Sequence, residues 1–549
     1  MSARADLVVR GRIATLAGDA GLGWVEAIAV ARGRVVAAGR TTDIESLAGR
    51  DTRQVRLDPN EVALPGLTDA HLHLAEGGLG ADRPDLTATR SLDEGLTVIR
   101  AAGARLADGL WLLGHGWEAD RWGGWPTAAD LERVAPGRPA AIWAHDHHAL
   151  LASATALRIA GIDASTADPP GGIIRRGAGG APSGVLHESA AGLVTGHIPP
   201  ATVAELERGI VALSRDLLRL GVVAVHDPGR LSLETGLGAA FEAYRRLADA
   251  AALPVRVHAC VRQGQLEAAI AGGLKSGATM GPAEGRLRFG WLKLFADGTL
   301  ASRTAALLEP IESEPGRPVP PGTERGVFIT EPEVLASLAG AAGNAGIATM
   351  IHAIGDRGVQ AALDALEPVA GRAATMPRLE HIQLVDPADL PRFGRSGIVA
   401  SVQPIHLRSD AAAARRLWGS RAEANGYPWA ALARHGALLA FGTDAPVEAI
   451  DPWPGLGMAV CRRDRSWGDE VPAFGPHNAL SLEEALRAAC IGPAIAAGET
   501  DRGRFVAGQR ADLIVIPAAA LNEPVEPGGA LSTARPRLVL VDGQVAFGG

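Results

Sequence analysis

The chain has 549 residues, of which 47% are hydrophobic and 21% charged, so it is a globular protein with a large core and not a disordered one. The net charge is -8 without any run rich in Lys and Arg, so we expect no nucleic-acid partner and no membrane partner. The first residues lack the apolar stretch of a signal peptide, and no apolar run reaches the about 18 residues of a membrane span. Three scattered cysteines form no disulfide framework, so we expect a cytoplasmic protein.

Both ends of the chain predict short strands. Residues 6–39 give DLVVRGRIATLAG and AIAVARGRVVAAG, which are β-branched runs separated by Arg-Gly turns. Residues 511–547 give ADLIVIPAA and RLVLVDGQVAF, where Asp-Gly is a hairpin signal. The two ends predict one small composite β domain from residues 1–62 and 500–549. Separate packing of each end is the alternative.

The middle of the chain alternates between apolar runs of strand length and Ala- and Leu-rich stretches with helical spacing. The eight candidate strands lie at residues 62–74, 221–229, 253–260, 287–298, 346–356, 378–385, 397–404 and 437–446. Strands alternating with helices predict an α/β fold, and eight of them favour a (β/α)8 TIM barrel over residues 63–499. A doubly wound open sheet is the alternative, but no GxGxxG strand–turn–helix supports it.

A long segment separates the first two candidate strands. Residues 75–220 are far too many for one crossover helix. We therefore predict an insertion subdomain at about residues 75–205, after the first barrel strand. Functional loops lie at that end of a barrel, so the insertion is expected over its mouth.

Candidate metal ligands recur where the predicted strands end. His71 and His73 close the first strand and, being two residues apart, point to the same face. The others are Lys293 on the fourth strand, His352 on the fifth, His381 on the sixth and Asp444 on the eighth. The carboxyl ends of the strands form the catalytic rim of a barrel. Four imidazoles and a carboxylate at this rim suit a borderline divalent metal such as zinc, whereas a single histidine would indicate little.

Nine segments, in order along nearly the whole chain, resemble the amidohydrolase superfamily of metal-dependent hydrolases. Within it the resemblance is to amidohydrolase family 3, the group of YtcJ-like and N-substituted formamide deformylase-like proteins. The segments are LPGLTDAHLHL, HGWEADRW, PSGVLHESA, KLFADGTLASRTAAL, IHAIGDRGV, RLEHIQLV, ASVQP, FGTDAPVEAIDPW and GQRADLIVI. The resemblance implies a (β/α)8 barrel with a β-sandwich built from both termini, in agreement with the strand pattern.

The resemblance also implies a role for Lys293, one of only two lysines in the chain. In two-metal members of the family the lysine on the fourth strand is carboxylated by CO2 and bridges the ions. A lysine can lower its pKa in a desolvated, cation-rich site, whereas arginine stays protonated. The alternatives are an unmodified lysine in a one-metal site, ion-paired with Asp297 or a loop carboxylate, and a snorkelling lysine without a special role.

The implied cofactor is two divalent metal ions, zinc being the favoured element, with a single ion as the alternative. The implied ligands are His71, His73 and Asp444 for one ion, His352 and His381 for the other, and carboxylated Lys293 as the bridge. In metal-assisted hydrolysis, a water acidified to a pKa of about 7 attacks a polarised carbonyl. Asp444 is expected to accept the water proton and to deliver it to the leaving nitrogen. An aspartate that serves only as a ligand is the alternative.

The insertion carries further candidate residues. HGWEADRWGGWP contains Trp117, Trp122 and Trp125, and aromatic side chains beside glycines and charges suggest a pocket wall. Packing within the core of the insertion is an equally good explanation of each tryptophan. HDHHAL resembles the Asp-x-His segment of the family, which implies that His148 contacts the substrate or an oxyanion. His147 replaces the usual glycine of that segment.

Two groups of residues on the barrel complete the substrate contacts that we predict. Asp297 and Arg303 follow Lys293 on the loop after the fourth strand, where Arg303 can bind a carboxylate or a carbonyl. A structural ion pair between Asp297 and Arg303 would look the same in sequence. The remaining candidates, near other strand ends, are His226, His258 and His406.

The sequence therefore predicts a metal-dependent amidohydrolase that cleaves a C–N bond in an amide, formamide or cyclic amide of a small molecule. One alternative keeps the metal and the barrel but hydrolyses an ester or carbamate, or deaminates a ring. Another is a metal-binding scaffold without turnover. A homodimer is possible on sequence grounds, and fold alone does not identify the substrate.

Overall fold

The structure is a computed structural model in which the chain divides into two compact units. One unit is formed by residues Met1–Ala75 and Ile210–Gly549, and the other by residues Glu76–Gly209. The described residues are 4–80, 83–107, 109–177, 179–230, 236–282, 285–312, 322–522 and 524–548. Within these ranges, no helix has the length and apolar character needed to cross a bilayer.

Eight parallel strands of the larger unit form a barrel-like sheet in which each strand pairs with its neighbour in the chain. The strands are Leu67–Asp69, Val222–Asp227, Arg256–Arg262, Leu287–Phe295, Thr349–Ala353, Arg378–His381, Val399–Val402 and Leu439–Phe441. Every residue of the second, third, fifth and sixth strands is buried, as expected for parallel strands covered on both faces. The strand order confirms the predicted TIM-barrel-like α/β fold and excludes the doubly wound alternative.

The first and eighth barrel strands approach each other at their carboxyl ends. The Ala70 N–H donates to the Phe441 carbonyl at 2.8 Å, and the Asp444 N–H donates to the His71 carbonyl at 2.7 Å. Gly442 permits this approach, because a Cβ there would lie 2.5 Å from the backbone nitrogen of His71. The barrel is thus nearly closed beside two of the predicted ligands.

Helices follow each of the second to eighth barrel strands. They are Gly238–Asp249, Leu266–Ala271, Pro332–Asn344, Asp356–Leu366, Leu390–Ser396, His406–Trp418, Ser420–Asn425, Trp429–Arg434, Pro452–Cys461, Leu482–Cys490 and Gly492–Ala496. Local sequence sets their ends: the Ser481 hydroxyl accepts from the Glu484 N–H, and the Glu484 carboxylate accepts from the Ser481 N–H. A two-residue strand, Thr279–Met280, pairs antiparallel with the fourth barrel strand.

Strands from both chain ends share a second sheet of the same unit. They are Ala5–Ala14, Trp24–Ala31, Arg34–Gly39, Ala48–Arg56, Glu61–Pro65, Leu513–Pro517, Leu538–Val541 and Gln544–Gly548, with the short helix Thr41–Glu45. The strand Glu61–Pro65 pairs antiparallel with Leu513–Pro517, which joins the two termini. The buried ion pair of Arg256 with Asp512 (Nε–Oδ2, 3.1 Å) links this sheet to the third barrel strand. The two-layer sandwich form and the predicted boundaries stay predictions.

The smaller unit contains a five-stranded sheet. In spatial order its strands are Gly172–Arg176, Pro182–Glu188, Ala149–Ala152, Ala140–Ala144 and Leu112–Trp117. Its helices are Leu92–Gly103, Ala128–Val134, Ala154–Ile159 and Ser189–Thr195. Helices Leu74–Gly80 and Val203–Arg219 contain the points where the chain passes between the units.

Candidate metal centre

The first group of candidate ligands lies where the first and eighth barrel strands end. The Nε2 atoms of His71 and His73 lie 3.4 Å and 3.3 Å from the same oxygen of Asp444, Oδ1. The three residues offer ligand atoms that all lie within 4.8 Å of one another. Two imidazole nitrogens and one carboxylate oxygen form a donor set that zinc accepts.

Asp69 holds both strand ends that carry this group. Its Oδ1 accepts from the backbone N–H groups of His71 and Thr443, each at 3.1 Å, and its Oδ2 accepts from the Thr443 hydroxyl at 2.6 Å. Asp444, the residue after Thr443, has a left-handed backbone conformation with φ of 60°. This backbone conformation is uncommon outside glycine and is typical of functional sites, and the bonds to Asp69 hold the segment that carries it.

A second group shares the Asp444 carboxylate. His381, His406 and Asp444 also offer ligand atoms within 4.8 Å of one another. The other Asp444 oxygen, Oδ2, lies 3.5 Å from His406 Nε2. Each oxygen of this carboxylate therefore faces a different group of imidazoles. Among the described residues, the buried atoms His381 Nδ1 and His406 Nε2 have no hydrogen-bond partner.

His352 lies beside the second group. Its ring centroid is 4.5 Å from that of His381, while its Nε2 lies 3.1 Å from the Gly298 carbonyl oxygen and 3.8 Å from Asp297 Oδ1. The sequence predicted His352 as the partner of His381, but the second group of three donors contains His406 instead. The assignment of His352 as a ligand stays a prediction.

Lys293 lies inside the barrel, between Arg262 and Met350 on the neighbouring strands. This residue is 2% exposed, and its Nζ has no hydrogen-bond partner within the described part of the chain. Burial lowers the pKa of Lys293 to about 7, although Glu380 nearby favours the charged form. Much of this amine is therefore neutral near pH 7.

Glu380 and Arg378 form an ion pair behind His71. The Glu380 carboxylate lies 2.5 Å from His71 Nδ1 through Oε2 and accepts from Arg378 Nε at 2.5 Å through Oε1. Burial would raise the pKa of Glu380, but Arg378 and His71 hold it well below its usual range. Burial, with the charge of Lys293, lowers the pKa of His71 to about 4. His71 is therefore neutral at physiological pH, as a metal ligand must be.

The residues present fit a divalent metal. The donor atoms are imidazole nitrogens and carboxylate oxygens, and several are buried without a hydrogen-bond partner among the described residues. Burial would raise the pKa of Asp444, but His71 and the bond from His73 hold it well below its usual range. The carboxylate is thus ionised and able to act as a ligand.

Asp297 organises two loops. Its carboxylate accepts from the backbone N–H groups of Ile354 (3.0 Å), Gly355 (2.9 Å) and Ala306 (2.8 Å). A Cβ on Gly358 would lie 2.6 Å from Asp297 Oδ2, so that position is limited to glycine. These contacts account for Asp297 without a ligand, and its predicted contact with substrate stays a prediction.

Arg303 and His226 occupy different depths of the barrel unit. The partly exposed Arg303 lies in a turn with φ of 61°, where its N–H donates to the Leu300 carbonyl at 3.0 Å. The His226 ring is fully buried, accepts from Arg378 Nη1 at Nδ1 (2.9 Å) and lies 4.9 Å from the His258 ring. His226 thus belongs to the interior network around Arg378.

The tryptophans of the insertion are packed together. The Trp117 indole N–H donates to the Ile142 carbonyl at 2.8 Å, and that of Trp122 donates to the Thr89 hydroxyl at 3.1 Å. Both rings belong to the hydrophobic core of the smaller unit. Trp125 differs, because it is 42% exposed. Core packing accounts for Trp117 and Trp122, and their contact with substrate stays a prediction.

His148 lies in the smaller unit and pairs with Glu188. His148 Nδ1 lies 3.0 Å and 2.9 Å from the two Glu188 oxygens. His147, which precedes His148 in the chain, has a positive φ of 58°. The partner Glu188 also has a positive φ, of 50°. The carboxylate orients the imidazole, and a catalytic role for His148 stays a prediction.

Asp69, Arg378 and Glu380 were not among the predicted site residues, although all three lie in the motifs LPGLTDAHLHL and RLEHIQLV. A usable signal was present in RLEHIQLV, where two charged residues lie two apart in a buried strand and so face the barrel interior. Asp69 carries the same signal in the first strand, Leu67–Asp69, where every residue is buried.

The chain is similar to several known proteins over most of its length. The chain is 32% identical over 534 residues to Protein LONG AFTER FAR-RED 3 of Arabidopsis thaliana, covering 94% of this chain and 88% of that protein. It is 27% identical over 526 residues to N-substituted formamide deformylase of Arthrobacter pascens, covering 93% of each. Among solved structures, an uncharacterized metal-dependent hydrolase from Pyrococcus horikoshii OT3 has a TM-score of 0.74 and 25% identity, covering 93% of this chain and 97% of that one.

The family model named Amidohydro_3, which describes the amidohydrolase family, matches residues 60–547. This range contains all eight barrel strands and both groups of candidate ligands. The predicted resemblance is thereby confirmed. The chain belongs to the amidohydrolase family.

Proposed function

We propose that this protein is a metal-dependent hydrolase that cleaves a C–N bond of an amide, formamide or cyclic amide in a small organic molecule. The observation that carries the proposal is the shared Asp444 carboxylate, whose two oxygens face two separate groups of imidazole nitrogens. Family membership supports hydrolysis, and the relative that is an N-substituted formamide deformylase supports a C–N bond.

His71, His73 and Asp444 are the residues that would hold one divalent ion, with zinc favoured by the nitrogen-rich donor set. His381, with His406 or His352, would hold a second. The charge of Asp444, which both groups share, also acts on Lys293. A divalent metal bound here polarises a carbonyl and acidifies water to a pKa of about 7.

Asp444 is the proton carrier of the proposed reaction. The attacking water loses a proton to an Asp444 oxygen as its own oxygen forms a bond to the carbonyl carbon. The carbon–nitrogen bond then breaks, and the same proton passes from Asp444 to the leaving nitrogen, so a carboxylic acid and an amine result. The pKa of Asp444 lies well below its usual range, so the carboxylate is ionised and able to accept a proton.

Lys293 is proposed to carry a carbamate. Its neutral amine attacks CO2, a new N–C bond forms, and one proton leaves the nitrogen for solvent. The lack of a hydrogen-bond partner for Nζ among the described residues, together with burial that favours the neutral amine, supports this assignment. An unmodified lysine beside a single ion is the competing arrangement.

The test is an assay of the purified protein after chelation and after readdition of zinc, against N-substituted formamides, simple amides, cyclic amides and the matching esters. We expect turnover of an amide that chelation removes and zinc restores. Turnover of esters alone would replace the proposed bond with an ester bond. Turnover that survives complete removal of metal, or its absence on every substrate with metal bound, would contradict the proposal.

A further inference from the structure

The ion pair of Arg378 and Glu380 has a geometry that bears directly on His71. Glu380 is fully buried, and its Oε2 lies 2.5 Å from His71 Nδ1. Arg378 donates to both carboxylate oxygens, from Nε to Oε1 at 2.5 Å and from Nη2 to Oε2 at 3.2 Å. Arg378 therefore holds the Glu380 carboxylate in place, and Oε2 of that carboxylate faces the His71 imidazole.

Arg378 is itself anchored in the middle of the barrel. Its Nη2 donates to the Ala70 carbonyl at 2.5 Å and to the Ser401 hydroxyl at 2.6 Å, and its Nη1 donates to His226 Nδ1 at 2.9 Å. The guanidinium also lies 4.9 Å from the Trp291 ring centroid. These partners belong to or directly follow the first, second, fourth and seventh barrel strands, so Arg378 cannot turn away without breaking several buried contacts.

The chemistry of an ionised carboxylate fixes the state of the imidazole. A carboxylate only accepts hydrogen bonds, so the His71 proton must be on Nδ1, and Nε2 then keeps its lone pair. Nε2 is the atom on the other side of the ring, 3.4 Å from Asp444 Oδ1. We propose that Glu380, held by Arg378, is a positioning residue that locks His71 in the Nδ1–H tautomer and presents a bare Nε2 to the metal site.

The same ion pair bears on Lys293. Glu380 is the nearby carboxylate with the largest influence on this lysine, yet both of its oxygens bind Arg378 and one binds His71. Among the described residues, the Lys293 amine has no hydrogen-bond partner. Arg378 and His71 thus engage both oxygens of the acid that influences this amine most strongly.

The proposal rests on the metal centre of the proposed function, and it is tested by zinc affinity and not by turnover. In Glu380→Gln the new amide keeps its oxygen towards Arg378, which has only donors, and turns its NH2 towards His71 Nδ1. Nδ1 must then accept, the proton moves to Nε2, and the lone pair for the metal is lost. The matched control is Glu499→Gln, because Glu499 is also a buried acid paired with arginines, Arg288 and Arg502.

The first measurement is zinc binding in competition with a chromophoric chelator. We expect Glu380→Gln to bind zinc about 10-fold to 100-fold more weakly than the wild type, and Glu499→Gln to bind it with unchanged affinity. Equal affinity in Glu380→Gln and wild type would overturn the proposal. An equal loss in Glu499→Gln would also overturn it, since the effect would then be general packing.

The second measurement keeps the proposal testable if Glu380→Gln does not fold or if the wild type binds no zinc. The metal-free wild type is labelled with 15N-histidine, and the His71 signals are identified by their loss in His71→Asn. We expect the Nδ1–H tautomer, and the Nε2–H tautomer of His71 would overturn the proposal. Failure of zinc to bind the wild type would count against the proposed function alone.

Discussion

Two regions of the molecule are rich in histidine, and they use it differently. At the carboxyl ends of the barrel strands, His71, His73, His381 and His406 direct ring nitrogens at one carboxylate, Asp444. In the insertion, His115 and His147 have local partners instead. His115 Nε2 lies 3.6 Å from Asp85 Oδ1, and His147 stacks on Trp143.

The difference shows what distinguishes a metal site from a histidine-rich surface. Both groups of three donors within 4.8 Å that occur among the described residues lie in the larger unit, and both contain Asp444. Convergence on a shared carboxylate, not the number of imidazoles, therefore marks the metal site. Substitutions in the two regions should therefore differ in their effects on bound metal, turnover and stability.

The largest effect is expected from Asp444, compared with His148 of the insertion. Asp444→Asn removes the proton carrier and a shared ligand, so we expect kcat to fall by about a thousandfold. Bound metal, measured by mass spectrometry, should fall as well, because a neutral amide is a weak ligand. His148→Asn should keep its metal. A normal metal content in Asp444→Asn, or metal loss in His148→Asn, would remove the distinction between the regions.

The two lysines give the next comparison. Lys293→Arg places a permanently charged group where a neutral amine is needed, so we expect a loss in kcat of about a hundredfold or more without loss of fold. Lys275→Arg is the matched control, because Lys275 is the only other lysine and is exposed. Circular dichroism checks the fold of both variants. Near-normal turnover by Lys293→Arg would contradict both the carbamate and the need for a neutral amine.

The insertion should respond to changes in its core more than to changes at its surface. Trp117→Ala opens a cavity in that core and is expected to lower the free energy of unfolding by about 3–5 kcal/mol. Trp125→Ala affects a side chain that is 42% exposed, so its loss should be much smaller. Urea unfolding of both variants measures the difference. Equal stability losses would show that the two indoles are not distinguished by burial.

KM for an amide substrate decides the remaining question about these tryptophans. If Trp117 serves only packing, its replacement should change stability and leave KM unchanged in the fraction that stays folded. A raised KM with unchanged stability would restore the pocket wall that the sequence suggested.

The last comparison concerns the pH dependence that Lys293 contributes to stability. Burial lowers its folded-state pKa from 10.5 to about 7, so between these values the unfolded chain binds more protons than the folded one. The free energy of unfolding of the wild type, minus that of Lys293→Met, should therefore rise with pH by up to about 1.4 kcal/mol per pH unit in that window. It should level off below and above the window.

The pH measurement requires protein free of metal and of CO2, because both consume the amine. Subtraction of the Lys293→Met values removes contributions from other titrating groups. A difference that stays flat from pH 7 to 10 would show that the amine is charged in the folded protein. That result would remove the physical basis of the carbamate.

The sequence predicted the barrel well because its signals are local and repeated. Each strand is an apolar run of characteristic length, and His71, His73, His381 and Asp444 stand where such runs end. The contribution of His406 was harder to see. This residue begins a helix instead of ending a strand, and only folding brings its Nε2 within 3.5 Å of Asp444.

Long-range packing explains what the sequence did not reveal. The contact of Glu380 with His71 joins residues 309 positions apart, and that of Arg378 with Ala70 joins residues 308 apart. Local patterns carry no information on such pairs. The roles of Trp117 and Asp297 also depend on burial, because an indole in a core and an indole in a pocket wall have the same sequence context.

We propose a centre of two ions that Asp444 and carboxylated Lys293 would hold. A crystal structure of protein grown with zinc and bicarbonate, with anomalous data at the zinc edge, tests it most directly. We predict two anomalous peaks, one beside His71 and His73 and the other beside His381, with density continuing beyond Lys293 Nζ. The absence of any anomalous peak at Asp444 would contradict the proposal. An unmodified Lys293 amine that forms a salt bridge would also contradict it.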